Sequence, residues 1–229
     1  MTRRHLLQSA GLSTIALGCA GTVGPAAPGR TGARRSALDV ASPTPDVRRT
    51  AERLTAGLAS DRDRALALFR FVRDEIAFGF TPDFDLATPS ATLVHRRGHC
   101  NPKAALFASL LNSVRLEARV RFFTITNDVL RGVFTQGTPD RLSHAVVEVK
   151  LGGAFVPLDG YVTDKPLFEA ANARLSREGR PLGYGAHRDG DVEWDGRTSC
   201  WSQLADRQAM ALAEHGCFTD LAEFYASDA

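Results

Sequence analysis

Five stretches of the chain space their apolar residues as helices do, and three alternate them as strands do. Val47, Leu54 and Leu58 set the first helical spacing, over 46–58. Ser60-Asp61-Arg62-Asp63 then offers an N-cap with an acid three positions on, and Ala65, Leu66, Leu68, Phe69, Val72 and Ile76 follow on one face. Residues 77–95, broken by Gly79, Pro82 and Pro89, predict loop-rich chain. Over 102–114 the chain is apolar nearly all round, which predicts a buried helix, with Pro102 in the first turn where its missing N–H is harmless. Residues 118–126 alternate Val120, Phe122 and Thr124 against Arg119, Arg121 and Phe123. Residues 144–150 and 154–159 flank Gly152-Gly153 as a hairpin. Two more helical stretches are predicted near 166–178 and 202–225. Helices come first and the sheet after, so the class is α+β.

The N-terminal stretch is of another kind. Thr2-Arg3-Arg4-His5-Leu6-Leu7, followed by the apolar run from Ala10 to Val23, resembles a twin-arginine export signal over residues 1–24. Gly11, Gly18, Gly21 and Gly24 argue against the alternative, an amphipathic first helix. Ala16-Leu17-Gly18-Cys19 resembles a lipobox, in which Cys19 would carry lipid and tether the chain to a membrane. Simple cleavage is the other outcome, since Ala16 stands where a larger aliphatic residue is usual. Residues 25–45, with Pro25, Pro28, Pro43 and Pro45, predict a flexible linker. A folded core over 46–165 and an extension over 166–229 packed upon it complete the chain. No apolar run of about 20 residues follows the leader, as a membrane-spanning helix would need.

Charge and cysteine content narrow the function. The 28 basic groups include five arginines within residues 1–35, where no acid occurs, so the remainder carries 23 basic against 26 acidic groups. With no basic stripe beyond the leader, nucleic acid is excluded as the expected partner. Four cysteines are present: Cys19, Cys100, Cys200 and Cys217. In an oxidising compartment Cys200 and Cys217 could pair, two buried thiols being the alternative. His215 and Cys217 are two residues apart, but two ligands do not make a metal site.

Three residues carry the candidate chemistry. Arg97-Gly98-His99-Cys100-Asn101-Pro102 places a cysteine at the start of the buried helix, where unpaired backbone N–H groups favour a thiolate and can hold an oxyanion. His144 opens one strand of the hairpin and Asp159 closes the other. A turn of Leu151-Gly152 would set them opposite each other, and a Gly152-Gly153 turn would make them diagonal neighbours. Either way a carboxylate beside the imidazole fixes its tautomer and stabilises the imidazolium formed when it takes a thiol proton. His99 and Asn101 flank the sulfur as candidate oxyanion or substrate-facing groups. His99 is a poor base for its neighbour, because adjacent side chains entering a helix point apart. Trp194 and Trp201 are read as core and Arg96-Arg97 as solvated.

Gly98-His99-Cys100, the buried helix, Ser143-His144-Ala145-Val146-Val147-Glu148-Val149 and Val156-Pro157-Leu158-Asp159-Gly160-Tyr161 together resemble the core of the transglutaminase-like superfamily, over roughly residues 60–165. The resemblance implies a papain-like fold, a nucleophile-bearing helix packed on an antiparallel sheet, with Cys100, His144 and Asp159 as a catalytic triad. Many relatives place Trp or Tyr beside the cysteine, where this chain has His99 and Asn101. The implied activity is attack on an amide or peptide carbonyl through a thioester, needing no metal or organic cofactor. Hydrolysis, transfer to an amine, and a non-catalytic tethered binding module on the same fold all stay open, with a peptide or protein amide as the expected partner.

Overall fold

The computed structural model describes residues 36–134 and 139–227. The export segment, the lipobox cysteine Cys19 and most of the expected linker lie outside the described residues. Helix α1 spans Pro45–Thr55 and α2 spans Asp61–Glu75. Ser60 caps α2 in both directions, its Oγ accepting from the Asp63 amide at 3.0 Å and donating to Asp63 Oδ2 at 2.6 Å. Strand β1 (Ala77–Phe78), a 3-10 turn (Phe84–Leu86), α3 (Pro89–His95) and β2 (Arg97–Gly98) follow. The chain predicted as loop therefore holds a short helix, begun by the Thr88 cap and Pro89. Helix α4, Cys100–Ser113, has Ala104 through Ala108, Leu110 and Leu111 buried, as its all-round apolar pattern requires.

Strands β3 (Ala118–Thr126), β4 (Arg141–Leu151) and β5 (Ala154–Leu158) form an antiparallel sheet. The hairpin turn is Gly152-Gly153, with φ of 58° and 88°, a conformation that favours glycine at both places. Val120, Phe122, Ala145 and Val147 face α2 and α4 in the main core, while Phe123, Ile125 and Val146 face a smaller second core with Leu204 and Met210. Helix α5 (Lys165–Glu178) and the short pair β6 (Leu182–Gly183) and β7 (Ala186–His187) follow the sheet.

The last segment departs from its helical expectation. Only α6 (Arg207–Met210) and α7 (Leu221–Ser227) are helical; between them β8, Ala211–Phe218, adds to β3 and gives the order β5-β4-β3-β8. Ala-rich spacing imitates a helix there, but Gly216 at φ 92° and the unfilled edge of β3 decide for a strand. The linker expectation also ends too late. Leu38 and Val40 are buried, and the Val40 amide donates to Thr219 O at 2.8 Å, so order begins before Pro45. Cys200 and Cys217 do not pair. Cys200 bridges to Leu158 on the far side of β5 and Cys217 lies on β8, so the width of the sheet separates them. At about 4.8 Å per strand that is roughly 19 Å, against the ~7 Å Cα limit of a disulfide. Among the described residues no helix is long and apolar enough to cross a membrane.

Lys103 pins α4 from inside. Its fully buried Nζ donates to Ile76 O at 2.7 Å and Val162 O at 2.9 Å, tying α4 to the end of α2 and to the loop after β5. Burial outweighs the attraction of Asp164 and Asp74 and pulls its pKa down to about 7; a neutral amine has two N–H groups for the two carbonyls. Because the unfolded lysine keeps its proton up to about pH 10.4, this contribution is full above that pH and lost as pH falls through 7. The stability difference between wild type and Lys103→Met should therefore grow between pH 7 and 10, by at most about 1.4 kcal/mol per pH unit, in urea titrations; a pH-independent difference would contradict it. Phe224 of α7 stacks on Phe122 at 3.8 Å and 8°, so Phe224→Ala should cost about 3–5 kcal/mol in the same measurement.

Candidate active site

Cys100 is the first residue of α4, and its neighbour His99 is the N-cap in extended geometry. Gly98 lets β2 run close over the helix start: a Cβ there would lie 3.2 Å from both Pro102 Cβ and Lys103 Cγ. The thiol is 9% exposed, donates to Asn101 Oδ1 at 3.3 Å and lies 3.8 Å from Ser143 O on β4. Pro102 has no N–H and the Lys103 amide donates to His99 O at 3.1 Å, which leaves the amides of Cys100 and Asn101 without an acceptor inside the helix at this end.

The hairpin supplies the other two groups. Val147 pairs with Leu158, so one step further along the register Val146 faces Asp159, and His144 is its diagonal neighbour on the same face. This is the arrangement expected of the Gly152-Gly153 turn. His144 does not open its strand, however, but sits three residues inside it, fully buried and paired with Phe123. Its Nε2 meets Asp159 Oδ2 at 3.1 Å. Nδ1 is buried without a hydrogen-bond partner among the described residues, and His144 lines the same cavity as Cys100. Burial alone would lower the imidazole pKa. The hydrogen bond to Asp159 and the proximity of Cys100, with the negative charge of both, outweigh it and push His144 up to about 10.

Asp159 is held by backbone. Its Oδ1 accepts from the amides of Ser202 at 2.5 Å and Gln203 at 3.3 Å, and its Oδ2 from Leu204 at 2.8 Å. Ser202 Oγ returns a bond to Asp159 O at 2.8 Å. These donors replace water around a fully buried carboxylate. Gly160 lets the loop approach: a Cβ there would fall 2.3 Å from Cys200 Sγ. The segment between β7 and α6 carries no motif, and sequence reasoning missed it; the one hint, Gly160 after Asp159, does not say which distant segment comes close.

His99 and Asn101 part company. Asn101 is 1% exposed and its two Nδ2 donors are spent on Asp85 Oδ1 at 2.9 Å and Ser143 Oγ at 2.8 Å, so its side chain holds the site together and only its backbone N–H is left for an oxyanion. His99 does face the site. Its Nε2 bonds Asp85 Oδ1 at 2.7 Å, and its ring lines a cavity of about 40 Å3 onto which Cys100 and His144 also open. Asp85, which joins both neighbours of the cysteine, was another residue without a sequence signal. Trp194 is core, packed on Phe69 at 5.3 Å. His215 bonds Thr124 at 2.7 Å and Cys217 bonds Glu148 at 3.5 Å; no cluster able to hold a metal ion occurs among the described residues.

With a thiol at a helix start, an imidazole and a carboxylate in series, the comparison with known families is specific. The model of the transglutaminase-like superfamily core matches residues 48–160, which contain all three groups. Residues 48–160 thus carry a domain of the transglutaminase-like superfamily. No curated protein matches the chain significantly. Among solved structures it is similar to a candidate cysteine protease from Cytophaga hutchinsonii (12% identity, TM-score 0.47), covering 80% of this chain and 47% of that one. It is also similar to a candidate protease from Parabacteroides distasonis (13% identity, TM-score 0.39), covering 58% and 26%. The chain thus spans under half the length of either.

The raised His144 pKa has a sign that can be checked. The bound proton stabilises the fold fully below the ordinary imidazole value of about 6.5, and that contribution is lost as pH rises toward 10. NMR titration should find the His144 ring protonated through pH 8, and titrating lower in Cys100→Ala, where Asp159 alone is left to oppose burial. An unchanged titration in that variant would show that the two groups do not interact.

Proposed function

We propose that this chain is a thiol hydrolase of amide or peptide bonds, with Cys100 as nucleophile, His144 as base and then acid, and Asp159 as its orienting carboxylate. One observation carries the reading: the buried imidazole has one nitrogen bound to a carboxylate and the other unpartnered, in a ring that lines the same cavity as the thiol at the start of α4. With its pKa raised, His144 already holds the Cys100 proton at neutral pH, and the sulfur, as thiolate, attacks the carbonyl carbon. First-turn N–H groups of α4 hold the oxyanion. The oxyanion collapses, the C–N bond breaks, and His144 gives its proton to the departing amine, leaving a thioester on Cys100. Water then gives a proton to His144 and attacks the thioester, the C–S bond breaks, and the acid leaves with the thiol restored. An amine in place of water would make the same site an acyltransferase.

Water is the preferred acceptor because the proposed location supplies it in excess. The arginine-led N-terminal segment would direct export to the periplasm or cell envelope, with Cys19 as the tethering point if lipid is added. An Arg3→Lys, Arg4→Lys double variant retained inside the cell supports this; normal export of that variant contradicts it.

Cys100→Ala should lower amide turnover by at least about 10^3-fold, with circular dichroism unchanged. Asp159→Asn should lower kcat by on the order of 10^2–10^4 with a smaller change in KM. The assay pairs peptide amides with and without a primary amine, reading free acid against the amide adduct. Wild-type activity in Cys100→Ala would remove the mechanism, and adduct as the main product would turn the assignment to acyl transfer.

A further inference from the structure

The wall of the cavity opposite His144 is a set of rings that neither core absorbs. Phe84 is 48% exposed, yet its ring is stacked on Phe80 at 5.4 Å and 15° and lies 4.7 Å from the His99 ring. His99 in turn stacks on Phe80 at 4.9 Å and 24°. Phe84 also has φ of 46°, a left-handed conformation that a bulky residue avoids unless its surroundings impose it. The imposing contact is next door: Asp85 bonds both His99 and Asn101, the two neighbours of Cys100. The strained turn therefore holds the Phe84 ring at a fixed place relative to the nucleophile.

We propose that Phe80, Phe84 and His99 form an acyl-side recognition shelf that selects an aromatic or bulky aliphatic side chain adjoining the attacked carbonyl; this deepens the amide-attack reading and rests on it. The slot is narrow, about 40 Å3, too small for a folded segment. Ile125, Val129 and Leu142 make its other walls apolar, and Leu86, 58% exposed, extends the apolar surface past the rim. Among the described residues neither lysine nor arginine lines it, whereas the Asp85 carboxylate sits beside the shelf, so an acidic side chain laid on the rings meets a negative group.

The test measures binding apart from chemistry. N-acetyl amides of phenylalanine, leucine, alanine and aspartate are titrated by NMR into the whole chain carrying Cys100→Ala. The phenylalanine and leucine amides should bind at least about 10-fold more tightly than the alanine amide, shifting the His99 ring resonances, and the aspartate amide should bind weakest. Phe84→Gly removes the ring while suiting the backbone, and should bring the phenylalanine amide down to the alanine level, as should Phe80→Ala. Leu212→Ala, an exposed residue on β8, should keep the preference. Equal binding of the phenylalanine and alanine amides, or a preference that survives both ring variants, overturns the shelf. If the preference is found but wild-type protein hydrolyses none of these amides, the shelf stands and the hydrolase reading fails.

Discussion

A buried carboxylate met by three backbone amides is the interaction on which the candidate site depends. Asp159 is wholly out of water, and an ion in that position survives only if its oxygens are matched by donors. Ser202, Gln203 and Leu204 provide the match from a segment more than 40 residues later in the chain. With its oxygens so held, the carboxylate has one direction left to offer, toward His144. The imidazole is then oriented by a group that cannot turn, and its second nitrogen stays buried without a partner among the described residues.

The rest of the fold makes that arrangement possible. The Gly152-Gly153 turn sets the register that brings His144 and Asp159 to one face. Gly160 lets the returning loop pack against the end of β5, where Cys200 O accepts from the amides of both Asp159 and Gly160. On the other side Lys103 anchors the first turns of α4 to two carbonyls, and Asp85 and Ser143 bind Asn101 beside the sulfur. The thiol is thus located by the helix it begins, and the imidazole by the strand it sits in.

What the sequence discloses follows from how local each signal is. The buried α4, the strand from Ala118 to Thr126 and the glycine turn are written in short-range periodicity, and each has its expected place. The three central residues were legible because their chemical types recur in a spacing that resembles the transglutaminase-like core. Contacts made by backbone amides leave no side-chain signature, so the Asp159 cradle was invisible. Asp85 was hidden for a related reason, lying in chain read as loop. β8 was misread because small residues tolerate either conformation, and only the open edge of β3 decided between them. The side-chain amide of Asn101 is used internally, which its position beside the cysteine does not disclose.

The central claim is that His144 activates Cys100. The most direct measurement is mass-spectrometric mapping of limited iodoacetamide labelling at neutral pH, in wild type and His144→Ala. Cys200 is buried, with its thiol pKa pushed well up, and Cys217 is more exposed than Cys100. The account predicts that Cys100 is labelled first in spite of its burial, and that His144→Ala removes this advantage. Preferential labelling of Cys217, or Cys100 labelling indifferent to His144, would contradict it.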